Sequence, residues 1–402
     1  MESYVLDWAN LLLRWVHVIT AIAWIGSSFY FVFLDSSLTP PTAPDLKAKG
    51  VDGELWAVHG GGFYNPQKYM VAPRSLPSNL HWFYWEAYST WLTGFALFTV
   101  LYLFNAGSFL IDKSVFDWSA STAIAAALGF LVAFWLIYDA ICRTLGQRRN
   151  GDLIVGASVF TFVVFASWLA CQLFAGRAAF LLVGAMLATS MSANVFFWII
   201  PGQRKVVASL RAGETPDPVH GRRGKQRSVH NTYFTLPVLI AMISNHYGWL
   251  YQGPDNWLVL VLLMLAGALI RHSFVARHKA HVLGKRTPWE HAVAGTLVLL
   301  GLAIWLAPPP PSAAAQAVAA KPVTFAEVKT VIDQRCTMCH NAQLQNKNIA
   351  LHTPELIQQH AQAVYQQTSV LKLMPMNNAT QITEDERALI RRWFEAGAPS
   401  AP

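Results

Sequence analysis

Eight stretches of this chain are long and apolar enough to be considered as membrane-spanning helices. They cover roughly residues 8–34, 82–104, 119–141, 153–174, 178–200, 232–250, 257–270 and 292–306. A helix needs about 20 predominantly apolar residues to cross the ~30 Å hydrocarbon core of a bilayer. The last two stretches are short, and we expect their helices to extend into His272 and Trp289. The pattern predicts an all-α fold, a polytopic membrane bundle of about eight transmembrane helices.

The composition agrees with a membrane protein. Of the 402 residues, 54% are hydrophobic and 13% are charged, whereas a soluble domain has about 25% charged residues. This excludes an entirely soluble enzyme and a disordered chain. The formal net charge is +8, but the basic residues lie in a few loops between apolar stretches. We therefore expect a lipid bilayer and no nucleic acid as a partner.

Lysine and arginine are concentrated in the loops on one side of the predicted bundle. The loops after the third, fifth and seventh stretches carry basic clusters within residues 143–149, 204–227 and 277–286. The loops after the second and fourth stretches carry only Lys113 and Arg177, and the loop after the sixth carries no cation. Because cytoplasmic loops are enriched in Lys and Arg, we expect the three basic loops inside and both termini outside.

The character of the chain changes after the eighth stretch. Residues 308–320 begin with four prolines and continue rich in alanine, which is typical of a linker. Residues 321–402 hold eight Lys or Arg and seven Asp or Glu and have no long apolar run. The sequence thus predicts a membrane domain at 1–307, a linker at 308–320 and a small soluble domain at 321–402.

The small domain contains the sequence Cys336-Thr337-Met338-Cys339-His340. This Cys-x-x-Cys-His pattern is the attachment signal for a covalent c-type heme, in which the adjacent histidine ligates the iron. A redox pair or half of a zinc site is the alternative, but there is no second closely spaced cysteine pair for zinc. Cys142 and Cys171 lie within apolar stretches, where we expect them to be small packing residues.

A second axial ligand is expected between two helices of the small domain. The first helix spans 324–334, and the last is opened by a capping box at Thr383 and Glu386. Met374 is the predicted ligand, because a Met/His pair raises the heme potential and suits electron transfer. Met376 is the competitor, and we expect His352 and His360 to be surface residues. Phe325 and Trp393 are expected to pack where the two helices cross.

Residues 321–402 resemble a small class I cytochrome c. The resemblance rests on the Cys-x-x-Cys-His motif, the Met-Pro turn and the acidic-capped helix. The Met-Pro-Met form of the turn differs slightly from the commoner Met-Pro-Pro. The resemblance implies covalent heme c, which bacteria attach outside the cytoplasmic membrane. The loop charges independently place this terminus outside, so the two arguments agree on a periplasmic domain.

Ionisable residues within the apolar stretches are costly and mark functional sites. Arg14 and His17 lie in the first stretch, and His246 lies near the outer end of the sixth. Two facing imidazoles can hold a b-type heme, with Arg14 pairing a propionate. The alternative is that Arg14 reaches the interface and each histidine hydrogen-bonds a neighbouring helix.

A second group of polar residues lies towards the cytoplasm: His81, Glu86, Asp139, His230, His272 and His291. It can form a substrate site, a proton path or another heme site. The preceding loop contains Gly60-Gly61-Gly62 and Arg74, and we expect it either to close over a planar anion or to be a flexible membrane-surface loop.

The chain as a whole resembles the bacterial membrane-bound urate oxidases, also called urate hydroxylases. Matching stretches are residues 15–31, 60–73, 81–88, 230–237 and 244–247. That family joins an eight-helix membrane domain to a C-terminal cytochrome c. The resemblance implies an inner-membrane enzyme that oxidises urate to 5-hydroxyisourate and passes electrons through its cytochrome to an acceptor of the respiratory chain.

With urate as the substrate, the cytoplasmic group gains specific roles. Arg74 is the predicted charge partner of the planar anion, because a guanidinium can make two parallel hydrogen bonds. His81 or His230 is the predicted proton acceptor, and Glu86 can orient it. Two other functions remain open: a quinol–cytochrome c electron-transfer protein without urate chemistry, and a heme or copper carrier.

Overall fold

Long helices account for most of the chain. The computed structural model describes residues 2–70, 73, 76–146, 148–307 and 323–399. We call residues 2–307 the N-terminal part and residues 323–399 the C-terminal part. The predicted linker, 308–320, lies outside the described residues.

The N-terminal part is built from helices that follow the predicted apolar stretches. These are α1 (Glu2–Ser37), α2 (Pro44–Lys49), α3 (Trp85–Phe98), α4 (Ala106–Phe109), α5 (Ala120–Leu145), α6 (Gly151–Leu173), α7 (Gly176–Ala193), α8 (Ile200–Arg211), α9 (Pro218–Ile243), α10 (Asn256–Val282) and α11 (Glu290–Trp305). Two π-helical segments extend α3 and join α7 to α8, namely Thr99–Leu103 and Asn194–Ile199. Each predicted stretch overlaps one of the long helices.

Within the described residues, five helical segments are long and apolar enough to cross a membrane. They are Tyr4–Ser37, Ala120–Leu145, Gly151–Leu173, Gly176–Arg211 and Asn256–Val282. Glu290–Trp305 is apolar but shorter. The first half of α9 is polar and basic, so this helix does not stand out by hydropathy although it packs against α7 and α10.

The boundaries of α9 differ from the predicted stretch 232–250. The helix begins at Pro218, where the Asp217 side chain accepts a hydrogen bond from the Val219 backbone N–H and caps the first turn. It ends at Ile243, and two 3₁₀ turns follow, Ser244–His246 and Gly248–Leu250. Hydropathy registers only the apolar half of α9, so it predicts a loop where the polar half of the helix lies.

The all-α prediction is wrong for one segment between α2 and α3. Four short strands occur there: β1 (Gly53–Glu54), β2 (Ala57–His59), β3 (Gly62–Tyr64) and β4 (Gln67–Lys68). β1 pairs with β4 and β2 pairs with β3, both antiparallel. The turn of the inner hairpin uses Gly60 and Gly61 at positive φ. Strands of two or three residues are too short to show alternation in the sequence.

Helix α7 lies at the centre of the N-terminal part. It contacts α3, α5, α6 and α9, and most of its first three turns are buried. A Cβ atom on Gly184 would lie 2.8 Å from the Ala241 Cβ atom. Glycine at this position therefore allows α7 and α9 to approach closely, as small residues do at helix contacts in membranes.

A buried polar network ties α5, α9 and the π-helical segment after α7 together. The Arg227 guanidinium donates to Asp139 Oδ1 at 2.6 Å and to Asn194 Oδ1 at 3.1 Å. Trp198 Nε1 also donates to Asp139 Oδ1, at 2.7 Å. Arg227 and Asn194 are almost fully buried, and each charge has an opposite charge or several hydrogen bonds. A buried ion pair is tolerated only when its remaining polar atoms are satisfied in this way.

The C-terminal part has its own hydrophobic core, formed by residues between Phe325 and Ala398. Its helices are α12 (Phe325–Arg335), α13 (Pro354–Gln359), α14 (Ala361–Tyr365) and α15 (Glu384–Glu395). The predicted capping box at Thr383 and Glu386 is confirmed. The rings of Phe325 and Trp393 lie 6.2 Å apart, which confirms the predicted contact between α12 and α15.

The buried ion pair gives a test of what holds the helices together. We expect Asp139→Leu to lower the free energy of unfolding by about 3–5 kcal/mol, because it leaves the Arg227 charge buried without a counter-ion. Unfolding of the purified protein in detergent, followed by tryptophan fluorescence, measures the loss.

Two further variants serve as controls for this test. Asp139→Leu combined with Arg227→Met removes both charges and should recover most of the stability. Arg143→Gln should change little, because that guanidinium is exposed and lies 3.8 Å from Asp139. A double variant as unstable as the single one would show that the lost stability comes from packing.

Candidate functional site

The Cys-x-x-Cys-His motif lies directly after α12. Cys336 is the C-cap residue of this helix, and its backbone N–H donates to Ile332 O. Cys336 is buried, Cys339 is half-buried, and both thiols are free. Burial raises the pKa of the Cys336 thiol to about 12, so this thiol carries its proton at neutral pH. Thioether formation adds a thiol and its proton across a vinyl group, which requires no other reactant from the chain.

The ring of His340 is oriented by one hydrogen bond. Its Nδ1 atom lies 3.0 Å from the Ile349 carbonyl oxygen. Because a carbonyl oxygen can only accept, Nδ1 carries the proton and Nε2 keeps its lone pair. Histidine ligands of metals are commonly fixed by such a bond from the second nitrogen. Nε2 of His340 is therefore the nitrogen that can coordinate a metal, and the predicted iron ligation stays a prediction.

Met374 is held in place by hydrogen bonds of its backbone. Its N–H donates to Gln367 O at 3.0 Å, and its carbonyl accepts from Arg387 Nη1 at 2.9 Å. Met374, His340 and both cysteines line one cavity. Thiols, an imidazole nitrogen and a thioether are the donor set of a c-type heme, so the residues fit the predicted cofactor, which stays a prediction.

The alternative ligands occupy different places. Met376 begins a 3₁₀ turn, Met376–Asn378, and lines the same cavity, so it stays the competitor of Met374. His352 is exposed. Neither His352 nor His360 is among the residues that line this cavity.

The cavity is not confined to the C-terminal part. It has a volume of about 2460 Å³ and continues between α1, α3, α7 and α9 of the N-terminal part. Pockets for single small ligands usually measure about 300–1,000 Å³. The space between the two parts is therefore large enough for more than one occupant.

The two parts are joined by hydrogen bonds that end on backbone carbonyl oxygens. Gly248 N donates to Leu371 O at 3.2 Å, and Asn377 Nδ2 donates to Ser108 O at 3.0 Å. A Cβ atom on Gly248 would lie 2.7 Å from the carbonyl oxygens of both Leu371 and Lys372. Only glycine allows this approach, which fixes the segment around Met374 against the N-terminal part.

His17 lines the cavity from α1. Its Nδ1 atom lies 3.1 Å from Thr90 O and 3.1 Å from Thr93 Oγ1. The ring lies against Gly94, where a Cβ atom would approach the ring to 2.8 Å. As for His340, a proton on Nδ1 leaves Nε2 as the nitrogen that can bind a partner.

Arg14 and His246 line the same cavity as His17. Arg14 donates to Asn10 Oδ1 at 3.3 Å. His246 ends the 3₁₀ turn Ser244–His246 and is exposed towards the space. The structure thus gathers the three residues for which we predicted a b-type heme, and that cofactor stays a prediction.

The structure does not gather the predicted cytoplasmic group into one site. His81 is exposed and its ring packs on Phe83 at 4.6 Å, while Glu86 is half-buried. Neither has a hydrogen bond, ion pair or ring contact with His230 in the described part of the chain. None of the three lines the cavity. Arg74 lies outside the described residues, so its role stays a prediction.

His230 is engaged by the buried polar network. Its Nδ1 atom lies 2.8 Å from the Tyr138 hydroxyl, which in turn accepts from Asn194 Nδ2 at 2.9 Å. Nδ1 and the hydroxyl are therefore hydrogen-bonded to each other, whichever of the two donates, and this nitrogen is engaged within the network. His272 and His291 form a separate contact, with ring centroids 4.4 Å apart.

Three cavity residues were not singled out as site residues from the sequence. Tyr102, Trp91 and Arg177 all line the cavity. Arg177 follows the fourth apolar stretch, in a loop that carries no other cation, and this isolation is the signal that the sequence offers. Tyr102 and Trp91 lie in an apolar stretch rich in aromatic residues, where nothing in the sequence distinguishes a cavity residue from a lipid-facing one.

The motif cysteines give a direct test of the heme site. We expect Cys336→Ala with Cys339→Ala to abolish covalent heme, because no thiol then remains in the motif. Heme staining of a denaturing gel measures this. The matched control, Cys142→Ala with Cys171→Ala, should stain like the wild type. Staining that survives the first pair of substitutions contradicts the assignment.

The comparisons with known proteins agree with the sequence resemblance. No curated protein and no solved structure matches the chain. Residues 3–307 match the family described as Urate oxidase N-terminal. This match covers well over half of the chain, and the protein is therefore a member of the Urate oxidase N-terminal family.

Proposed function

We propose that this protein is a membrane-bound oxidoreductase that oxidises urate to 5-hydroxyisourate. The electrons pass to a c-type heme in the C-terminal part and from there to an acceptor of the respiratory chain. Family membership supports urate as the substrate. The observation that carries the proposal is the single cavity that joins the Cys-x-x-Cys-His motif to the interior of the family domain.

The reaction requires water and an electron acceptor. Urate and one water give 5-hydroxyisourate, two electrons and two protons. A c-type heme bound at the motif would supply a one-electron acceptor, so each urate requires two transfers onward to the respiratory chain. No molecular oxygen is consumed in this balance, and hydrogen peroxide is not a necessary product.

We propose an eight-span arrangement in a bacterial inner membrane with the C-terminal part in the periplasm. The contacts of the C-terminal part support this orientation. It is held by Ser108 and Ile111, after the second predicted span, by Gly248, at the end of the sixth, and by Gln252, just after the sixth. These are the loops that the distribution of Lys and Arg places outside. Charge and docking therefore agree on the same face.

We place urate oxidation in the cavity and not at the cytoplasmic group. A substrate in the cavity shares a continuous space with the heme ligands, whereas His81, Glu86 and His230 do not line it. The Nδ1 atom of His230 is hydrogen-bonded to Tyr138. Trp91 and Phe95 line the cavity and stack on each other, with centroids 5.3 Å apart and planes inclined by 12°, so aromatic rings are available there to contact a planar purine.

Anaerobic addition of urate to the purified, oxidised protein tests the function. We expect urate to reduce the c-type heme without oxygen and to form 5-hydroxyisourate in a ratio of one product to two electrons. Absorption spectra of c-type and b-type hemes, recorded together, measure the reduction. A c-type heme that is reduced by a quinol but not by urate would favour the quinol–cytochrome c alternative.

The junction between the two parts gives a second test. We expect Gly248→Ala to slow urate-dependent heme reduction by about 10- to 100-fold, because the new Cβ atom pushes away the segment that carries Met374. Covalent heme content should not change. Stopped-flow absorption of the heme measures the rate.

Gly253 provides the matched control for this substitution. It lies in the same loop, and a Cβ atom there would meet nothing within 4 Å. In Gly253→Ala, urate should therefore reduce the c-type heme at the wild-type rate. Equal rates in both variants would show that the backbone junction does not position the C-terminal part for electron transfer.

A further inference from the structure

Arg177 is a cation without an anion. It is the second residue of α7, where the helix dipole disfavours positive charge. Its guanidinium lies 5.2 Å from the centre of the Phe109 ring, and its Nε atom is buried without a hydrogen-bond partner. It makes no ion pair in the part of the chain that the structure describes. An arginine in this setting lowers its energy by binding an anion.

Tyr102 offers a second unused polar group beside Arg177. Its side chain is only 3% exposed, and its hydroxyl lies beside the Arg177 guanidinium without an acceptor for its own proton. It lies in the π-helical segment after α3, and such segments are frequent at functional sites. A ligand that accepts this proton would satisfy the buried hydroxyl.

The other cations on the C-terminal side of the cavity have partners. Arg335 pairs with Glu386 at 2.9 Å, and Lys372 pairs with Glu384 at 2.7 Å. On the N-terminal side, Lys113 pairs with Asp117 at 3.5 Å. No acidic side chain pairs with Arg177 in the described residues, and Arg14, a further cavity cation, donates to the neutral Asn10 side chain at 3.3 Å. Positive charge therefore remains on the N-terminal side of the cavity and attracts an anionic ligand.

The surroundings of Arg177 favour a flat ligand. Phe98 and Tyr102 stack with their centroids 5.5 Å apart and their planes inclined by 25°. Phe109 closes the same corner, with its ring centre 5.4 Å from that of Tyr102. Flat aromatic surfaces stack well on planar rings. The site therefore combines a positive charge, a hydroxyl donor and aromatic walls.

We propose that Arg177 and Tyr102 bind a planar heterocyclic anion, with the guanidinium and the hydroxyl donating to its exocyclic carbonyl oxygens. This rests on the proposed function, in which that anion is urate. A carboxylate of a heme propionate has the same acceptor chemistry and is the competing occupant. The site lies on the cavity that the heme ligands also line, so a ligand bound there faces the electron acceptor.

Urate binding to the reduced protein tests this site. Full-length protein is reduced chemically under argon, so that it cannot oxidise urate, and its affinity for labelled urate is measured by equilibrium dialysis. We expect Arg177→Gln to raise the dissociation constant by about 10- to 100-fold and Tyr102→Phe by about 2- to 10-fold. Arg177→Lys should fall between Arg177→Gln and the wild type. Lys113→Gln, a cavity cation with its own partner, should bind like the wild type.

The outcomes separate the possible occupants. Wild-type affinity in both Arg177→Gln and Tyr102→Phe overturns the inference. A shifted midpoint potential of the c-type heme with unchanged urate affinity overturns it in favour of a propionate. If Arg177→Gln does not assemble, Tyr102→Phe carries the test. Wild-type protein that neither binds urate nor is reduced by it rejects the proposed function itself, whereas normal wild-type binding with unaffected variants rejects only this site.

Discussion

The two parts of the chain are joined by hydrogen bonds to backbone carbonyls, and the candidate site depends on that junction. Gly248 approaches the carbonyls of Leu371 and Lys372 more closely than any residue with a Cβ atom can. Asn377 reaches carbonyls at the end of α4. Backbone contacts of this kind fix position more closely than flexible side chains do. The cavity exists because the segment around Met374 is held against the N-terminal part.

Two groups of polar side chains in the N-terminal part differ in how many of their polar atoms have hydrogen-bond or ion-pair partners. Around Asp139 and Arg227 every charge is paired and the hydrogen bonds are complete, which is the arrangement expected of a structural network. At Arg177 and Tyr102 the polar atoms face a cavity without partners. Unsatisfied buried groups destabilise a fold, and at a cavity wall a ligand can supply the missing partners. The contrast supports our proposal that the functional site lies in the cavity.

The sequence predicted the helices because each contains a long apolar run, and it predicted the Cys336–His340 motif because its residues are consecutive. It missed the polar half of α9 and the strands at 53–68, since hydropathy registers neither. Hydropathy also gives only the depth of a residue in the membrane and not the direction in which it faces. This explains why His81, Glu86 and His230 were grouped although the fold separates them, and why Tyr102 was overlooked.

The bond between His17 and Thr90 limits what His17 can do. Because Nδ1 must donate to the Thr90 carbonyl, the ring offers a single nitrogen, Nε2, to the cavity. One lone pair serves one partner, so His17 cannot both ligate the iron of a b-type heme and accept a proton from a substrate. The cavity is large enough for a second cofactor, so space does not decide between these roles. Under the proposed function, the partner of Nε2 therefore decides between a relay through a second heme and direct transfer from the substrate.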